Sequence, residues 1–173
     1  MDYYIKNNHE MYYACKLVNI KADQLYKSVL KIENEIVTST NGHVLIEFNY
    51  PAEDGFYMPI KVTKQEVIIR KTKELTDIHY PETNSILHKK SGYTEVNITD
   101  THKYADRENR FPIFLYDLLN NIKQCINFKY VIGLESILED HQYKVKVMEK
   151  EKYSPYIFDI NKSVKIAVMS IAY

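Results

Sequence analysis

The spacing of hydrophobic residues changes several times along the first third of the chain. Residues 11–20 form an almost continuous apolar run, which predicts a β-strand. The apolar residues that follow recur at helical spacing and predict an amphipathic helix; they are Ala22, Leu25, Tyr26, Val29 and Leu30. The polar face of this helix would carry Lys21, Lys27 and Lys31. A strand followed by a helix therefore opens the predicted fold.

A hairpin is the strongest local prediction in the chain. Residues 35–40 and 44–50 are rich in β-forming residues and flank Asn41-Gly42, a pair that tolerates the positive φ angles of tight turns. Two more strands are predicted at residues 56–62 and 66–70.

The middle of the chain is polar and irregular. Residues 72–110 contain turn-forming pairs without a repeat, and we expect 99–110 to be a mobile loop. Helical spacing then returns twice and predicts two helices. Their apolar stripes are Phe111, Phe114, Leu115, Leu118, Leu119 and Ile122, and, after a cap at Asn127, Tyr130, Val131, Leu134, Ile137 and Leu138.

Three strands are predicted to close the chain, at residues 143–149, 156–160 and 164–172. The order of elements indicates an α+β protein with two β-α-β-β-β halves, whose helices pack on antiparallel sheets. We expect the first half to cover residues 1–75. The second would cover 76–173 and contain a linker and an irregular insertion at about 91–126.

Composition narrows the functional classes. The chain has 173 residues with 45% hydrophobic content, enough to bury a core. Lysine plus arginine equals aspartate plus glutamate at 23 each, so no net charge attracts the protein to nucleic acid or lipid. No apolar stretch approaches the ~20 residues of a membrane span, and we expect a cytoplasmic protein. Cys15 and Cys125 are predicted to be reduced packing residues, with a disulfide as the alternative.

Sequence signatures of catalysis are missing from the chain. It has no phosphate-binding glycine loop, no zinc-protease motif and no nucleophile elbow, and only 4 glycines in total. The six histidines are scattered, and the polar, mixed-charge cluster at residues 100–108 is interpreted as a solvated loop. We therefore predict a protein without catalytic residues, bound metal or cofactor.

Three separated segments resemble the bacterial DNA sliding clamp, the processivity subunit of the replicative polymerase, and they occur in that family's order. They are residues 37–45 (VTSTNGHVL), residues 80–87 (YPETNSIL) and the final residues 167–173 (AVMSIAY). The chain departs from the family where prolines are common, at His88 and Ser170. Ala172 replaces the arginine of the family's tail. The chain is also shorter than a clamp, which suggests a reduced version from a phage or mobile element.

The resemblance implies a clamp-like fold and a hydrophobic pocket that receives short peptides. In the family these peptides belong to polymerases, clamp loaders and repair proteins, and commonly carry a glutamine followed by aliphatic and aromatic residues. The matching positions here are Thr40, Gly42, His43, Leu45, Pro81, Ile86, Val168, Met169 and Ile171. Glycine permits close approach of a ligand backbone, and methionine suits a surface that accepts varied peptides.

The resemblance also implies sliding on double-stranded DNA inside a ring of several chains. Lys21, Lys27 and Lys31 would contact phosphates without sequence preference. The second predicted helix is less suited to this role because Glu135, Glu139 and Asp140 oppose Lys129.

Each segment also has a purely structural interpretation. Residues 37–45 would be a hairpin, residues 80–87 would contain a Tyr-Pro turn, and residues 167–173 would be a core or edge strand. Their joint occurrence favours a sliding-clamp-like replication accessory protein, either a processivity factor or a peptide-docking hub. The alternative is a clamp-like interaction protein that sequesters clamp-binding peptides without encircling DNA. An ordinary structural module is a third interpretation.

Overall fold

The chain folds into two compact units in a computed structural model. The units are Met1–Glu82 and Thr83–Tyr173. The structure describes residues 2–73, 78–88, 93–98, 130, 137, 143–148, 155–160 and 163–169.

The described residues of the first unit form one α-helix, α1, a short 3-10 helix and six strands. Their bounds are β1 Asp2–Lys6, α1 His9–Leu17, the 3-10 helix Leu25–Ser28, β2 Leu30–Glu33, β3 Ile36–Thr40, β4 Val44–Asn49, β5 Gly55–Val62 and β6 Glu66–Lys71. The strand order is β1-β6-β5-β2-β3-β4, and each neighbouring pair is antiparallel. The predicted strands at 35–40, 44–50, 56–62 and 66–70 are confirmed.

Helix α1 packs on this sheet against β3, β5 and β6. Met11 and Ala14 of the helix are fully buried, as are Val37, Ile46 and Ile69 of the sheet. Each large aliphatic side chain buried in this way stabilises the fold by roughly 1.5–3 kcal/mol. Helix and sheet thus enclose the core of the first unit.

The predicted strand at 11–20 is wrong, because residues 11–17 lie in α1 and residues 18–20 form no strand. Asn8 caps the helix, and its Oδ1 accepts a hydrogen bond of 2.6 Å from the Met11 amide. Met11, Ala14 and Cys15 are buried at the i, i+3, i+4 spacing of one helical face. Burial raises the pKa of the Cys15 thiol to about 12, and this cysteine is free, as predicted. Cys125 lies outside the described residues.

The predicted amphipathic helix over residues 22–30 is also wrong. Only the 3-10 helix at Leu25–Ser28 forms there, and Leu25 is 55% exposed. Leu30 begins β2, which lies between β3 and β5 and hydrogen-bonds to both. Strand pairing on two sides satisfies more of the backbone of β2 than an isolated helical turn would.

Within its described residues, the second unit has a short helix, α2, and four strands with defined bounds. Their bounds are α2 Asn84–Leu87, β7 Tyr93–Ile98, β8 Tyr143–Met148, β9 Tyr156–Ile160 and β10 Val164–Val168. The strand order is β10-β9-β8-β7, again antiparallel throughout. The three predicted closing strands are confirmed, and the last one ends at Val168.

Three strands were missed by the sequence pattern: β1, β2 and β7. β1 pairs with β6, and β7 pairs with β8 over Tyr93–Ile98, so the irregular interpretation of that stretch is wrong. Tyr130 and Ile137 are helical, in agreement with the helix predicted after Asn127. The loop at 99–110 and the helix at 111–122 lie outside the described residues. The α+β class with antiparallel sheets is confirmed.

Candidate functional site

The turn between β3 and β4 is held by two polar side chains. Asn41 Oδ1 accepts hydrogen bonds from the amides of His43 (2.9 Å) and Val44 (2.8 Å). The Thr40 hydroxyl donates to the Val44 carbonyl at 2.7 Å and accepts from the Gly42 amide at 3.0 Å. Side-chain acceptors of this kind replace backbone bonds in tight turns. The turn is therefore a defined surface feature.

Gly42 gives the turn its backbone conformation. Its φ is +89°, in the region that disfavours any residue with a Cβ. Asn41 is not among the positive-φ residues, so it contributes its side-chain oxygen instead. Gly42 and His43 are exposed, whereas Thr40 and Leu45 are buried. Of the predicted turn residues, Gly42 and His43 are the ones open to a ligand.

Within the first unit, Tyr80 holds the segment next to Pro81 against the sheet. The Tyr80 hydroxyl donates to the Thr38 carbonyl at 3.1 Å. Its ring packs edge-on to Tyr26 at a centroid distance of 6.2 Å and stacks on Phe56 at 6.4 Å. Burial, and then the charge of Glu47, raise the pKa of Tyr80 far above its usual value, so the hydroxyl keeps the proton it donates. This anchor holds Pro81 half-buried.

The predicted site residues of the second unit lie on α2 and at the end of β10, and these two elements pack against each other. Ile86 is half-buried on α2 and Val168 is fully buried on β10. Met169, directly after β10, is 38% exposed. His88 Nδ1 lies 2.8 Å from Lys165 Nζ. Ile171 lies outside the described residues.

The three lysines predicted to contact DNA do not share a helical face. Lys21 is exposed in a turn, where its amide donates to Asn19 Oδ1 at 3.1 Å. Lys27 lies in the 3-10 helix, and Lys31 lies in β2, where it pairs with Glu33 at 2.8 Å. The helix prediction on which their common face depended is wrong. Their contact with DNA stays an untested prediction that has lost this basis.

The pattern of the sequence did not predict the hydrogen bonds that the Asn41 side chain and the Tyr80 hydroxyl form around this turn. An asparagine before a glycine is a signal for the first, since Asn side chains commonly accept bonds within turns. The sequence offers no local signal for the second, because Thr38 is distant in sequence from Tyr80.

The described part of the chain offers neither a metal-binding cluster nor a membrane-spanning helix. It contains no group of three or more His, Cys, Asp or Glu side chains suited to a metal ion. No helix within it is both long and apolar enough to cross a membrane.

Solved structures with similar folds are bacterial clamps. The Helicobacter pylori beta clamp bound to a DNA ligase peptide has a TM-score of 0.57 and 11% identity; the match covers 98% of this chain and 66% of that one. The Bacillus subtilis DNA polymerase sliding clamp has a TM-score of 0.58 and 9% identity, over 100% of this chain and 64% of that one. The fold is that of the bacterial DNA sliding clamps.

A third clamp-fold protein, the DNA polymerase III subunit beta of Pseudomonas aeruginosa, has a TM-score of 0.55 and 10% identity over 99% of this chain and 66% of that one. The present chain thus spans just under two thirds of the length of these clamps. No protein-family profile and no curated protein sequence matches it. At such identities the likeness establishes the clamp fold and leaves a phage origin and a reduced version as predictions.

Proposed function

We propose that this chain is a sliding-clamp-like accessory protein of DNA replication, which acts in the cytoplasm without enzymatic activity of its own. Its partners would be short peptides of polymerase, clamp-loader or repair proteins. The observation that carries the proposal is the clamp fold over nearly the whole chain, together with a structured turn that exposes Gly42 and His43. One of the similar clamps was solved with a DNA ligase peptide bound.

The residues proposed to serve this docking have two kinds of role. Gly42, His43 and Met169 are exposed and would contact a peptide directly. The others are buried, half-buried or beyond the described residues; they are Thr40, Leu45, Pro81, Ile86, Val168 and Ile171. Of these, Thr40 would act by holding the turn, because its hydroxyl already bonds the Gly42 amide and the Val44 carbonyl.

A fluorescent peptide with a glutamine followed by aliphatic and aromatic residues tests docking. The anisotropy of this peptide should rise when the protein is added. Met169→Asp should weaken the affinity by at least about tenfold, since covering a carboxylate with an apolar ligand costs well over the 1.4 kcal/mol that a tenfold change represents.

The matched control is Ile60→Asp. Ile60 is an apolar residue of β5 that is 51% exposed, and the proposal gives it no contact with the peptide. Its variant should bind like the wild type. The docking proposal is wrong if the anisotropy never changes, or if Met169→Asp binds as tightly as Ile60→Asp.

Ring formation would require several copies of the chain. β1 ends the strand order of the first unit, and Tyr4 on it is 67% exposed. Such an edge can extend a sheet into a second copy. We propose a homo-oligomer on this basis, and light scattering that shows only monomer at micromolar concentration would exclude the ring.

A second candidate is a clamp-like protein that binds or sequesters such peptides without encircling DNA. It is favoured by the zero net charge and by the separation of Lys21, Lys27 and Lys31 onto a turn, a 3-10 helix and a strand. Titration of labelled duplex DNA at low and high salt separates the candidates. A clamp should show weak, strongly salt-dependent binding, and the second candidate should show none.

A further inference from the structure

Lys27 lies across the turn that the proposed function assigns to peptide docking. A methyl group placed on Gly42 would lie 2.8 Å from both Cε and Nζ of Lys27. The space left by the glycine is therefore filled by a lysine of the same chain. A peptide that approaches Gly42 from the side of its missing Cβ would meet this ammonium group.

Hydrogen bonds hold the backbone of Lys27, and its side chain lies near an aromatic ring. Its amide donates to the Gln24 carbonyl at 2.9 Å, and its carbonyl accepts from the Asn19 amide at 2.8 Å. Its Nζ lies 5.7 Å from the centroid of the Tyr26 ring, at a cation–π distance. Lys27 is half-buried, so part of the entropy of ordering this side chain is lost before a ligand arrives.

The charge of Lys27 is not neutralised within the part of the chain that the structure describes, where no carboxylate forms an ion pair with it. Other lysines there do have such partners. Lys31 pairs with Glu33 at 2.8 Å, and Lys71 pairs with Glu53 at 2.6 Å. Lys27 is thus an ordered, partly desolvated cation beside an exposed turn.

We propose that Lys27 is a specificity-determining residue of the docking site and binds a carboxylate of the partner peptide. This inference rests on the proposed function and adds to it the charge of the partner. An ammonium held over the turn favours peptides with an aspartate or glutamate beside their apolar anchors, and disfavours a cation there.

A peptide carboxylate fits the site better than a DNA phosphate. Non-specific DNA binding needs several cations that act together along one surface. Lys31 is already paired with Glu33, and Lys21 lies in a separate turn. A single unneutralised ammonium next to a turn is suited to one carboxylate.

The test compares peptides that differ by one charge. Each fluorescent peptide contains the glutamine followed by aliphatic and aromatic residues, and carries a single aspartate at one flanking position. A matched peptide has asparagine at that same position. At one position or more, wild-type protein should prefer the aspartate peptide by about threefold to fivefold, a preference that weakens in 0.5 M salt. Lys27→Met, which keeps the aliphatic stem, should abolish it.

The matched control is Lys71→Met. Lys71 also lies against a glycine, because a methyl group on Gly55 would be 2.7 Å from its Cε, but its charge is paired with Glu53. This variant should keep the full aspartate preference. Thermal melts of both variants check that they are folded.

Each other outcome overturns the inference. If wild type and Lys27→Met have the same ratio of affinities for the aspartate and asparagine peptides at every position, Lys27 does not bind the peptide carboxylate. The peptide-docking proposal would be unaffected by that result. If no peptide binds the wild type, both the docking function and the inference fail. If Lys27→Met loses duplex DNA binding and keeps its peptide preference, the lysine serves DNA instead.

Discussion

Two turns in the first unit share three features: a glycine with positive φ, a lysine side chain over that glycine, and a tyrosine hydroxyl bonded to a nearby carbonyl. Gly42 joins β3 to β4 and Gly55 opens β5, with φ angles of +89° and +148°. Each glycine is covered by a lysine, Lys27 in the first turn and Lys71 in the second. Near each turn a tyrosine hydroxyl donates to a backbone carbonyl: Tyr80 bonds Thr38 at 3.1 Å, and Tyr57 bonds Glu53 at 2.6 Å.

The turns differ in what remains available to a ligand. At Gly55 the lysine is paired with Glu53, and the glycine is half-buried. At Gly42 the glycine is exposed, and no ion pair neutralises the lysine among the described residues. The same arrangement of glycine and lysine thus forms an internal ion pair at the Gly55 turn. At the Gly42 turn it leaves an exposed surface that carries a positive charge. Variants that remove the tyrosine, glycine or lysine of each turn test this contrast.

Removal of the tyrosine rings should have the largest effect. Tyr57→Ala and Tyr80→Ala should each lower the free energy of unfolding by about 3–5 kcal/mol, as expected for loss of a buried aromatic ring. Denaturant titration measures both. If the contrast is correct, Tyr80→Ala should also weaken peptide binding, because the hydrogen bond from Tyr80 to Thr38 holds the segment next to Pro81 in place.

The hydroxyl groups alone should matter less. Tyr57→Phe and Tyr80→Phe remove one hydrogen bond each, and we expect a loss of about 1 kcal/mol from each. Alanine variants that are no less stable than these phenylalanine variants would show that the rings do not anchor the two turns.

Substitution of the glycines should have an intermediate effect. Gly42→Ala and Gly55→Ala force a Cβ into a sparsely populated backbone conformation, at a cost of about 1–3 kcal/mol. Lys27→Ala added to Gly42→Ala should restore part of the loss, since it removes the 2.8 Å contact. Equal stability of Gly42→Ala and wild type in denaturant would contradict the positive φ at this turn.

The smallest effect is the pH dependence of the ion pair at Gly55. The hydrogen bond from Lys71, and then its charge, lower the pKa of Glu53 below its usual 4.5. A lowered folded-state pKa stabilises the protein above the unfolded value, and this contribution is lost as the pH falls through the folded value. The melting-temperature difference between wild type and Lys71→Met should therefore shrink below about pH 4.5.

Lys27→Met supplies the comparison for this pH series. Since no carboxylate pairs with Lys27 in the described residues, its melting-temperature difference from wild type should stay constant over the same range. If the melting-temperature difference between Lys71→Met and wild type is also independent of pH, the ion pair between Lys71 and Glu53 does not distinguish the two turns.

The sequence predicted local structure well where local residues decide it. The hairpin around Asn41-Gly42 needs no distant partner, and the strand predicted from the mostly apolar run Tyr156–Ile160 matches the bounds of β9. The three segments that resemble the clamp family led to the correct fold although identity to solved clamps is only 9–11%.

The secondary-structure predictions failed where contacts with residues distant in the sequence determine the structure. Residues 11–20 and 22–30 are short apolar stretches whose spacing allows helix or strand. β2 forms because β3 and β5 flank it, and β1 forms because β6 pairs with it. The same limit applies to the site, since nothing in the local sequence places Lys27 over Gly42.

The most direct test of the central claim is a titration of isotope-labelled protein with the glutamine-containing peptide, followed by amide NMR. We expect the amide signals of Gly42 and His43 to shift with peptide concentration, while that of Gly55 stays in place. Shifts at Gly55 equal to those at Gly42, or no shift at Gly42 under conditions where the peptide binds, would contradict the assignment of the Gly42 turn as the docking surface.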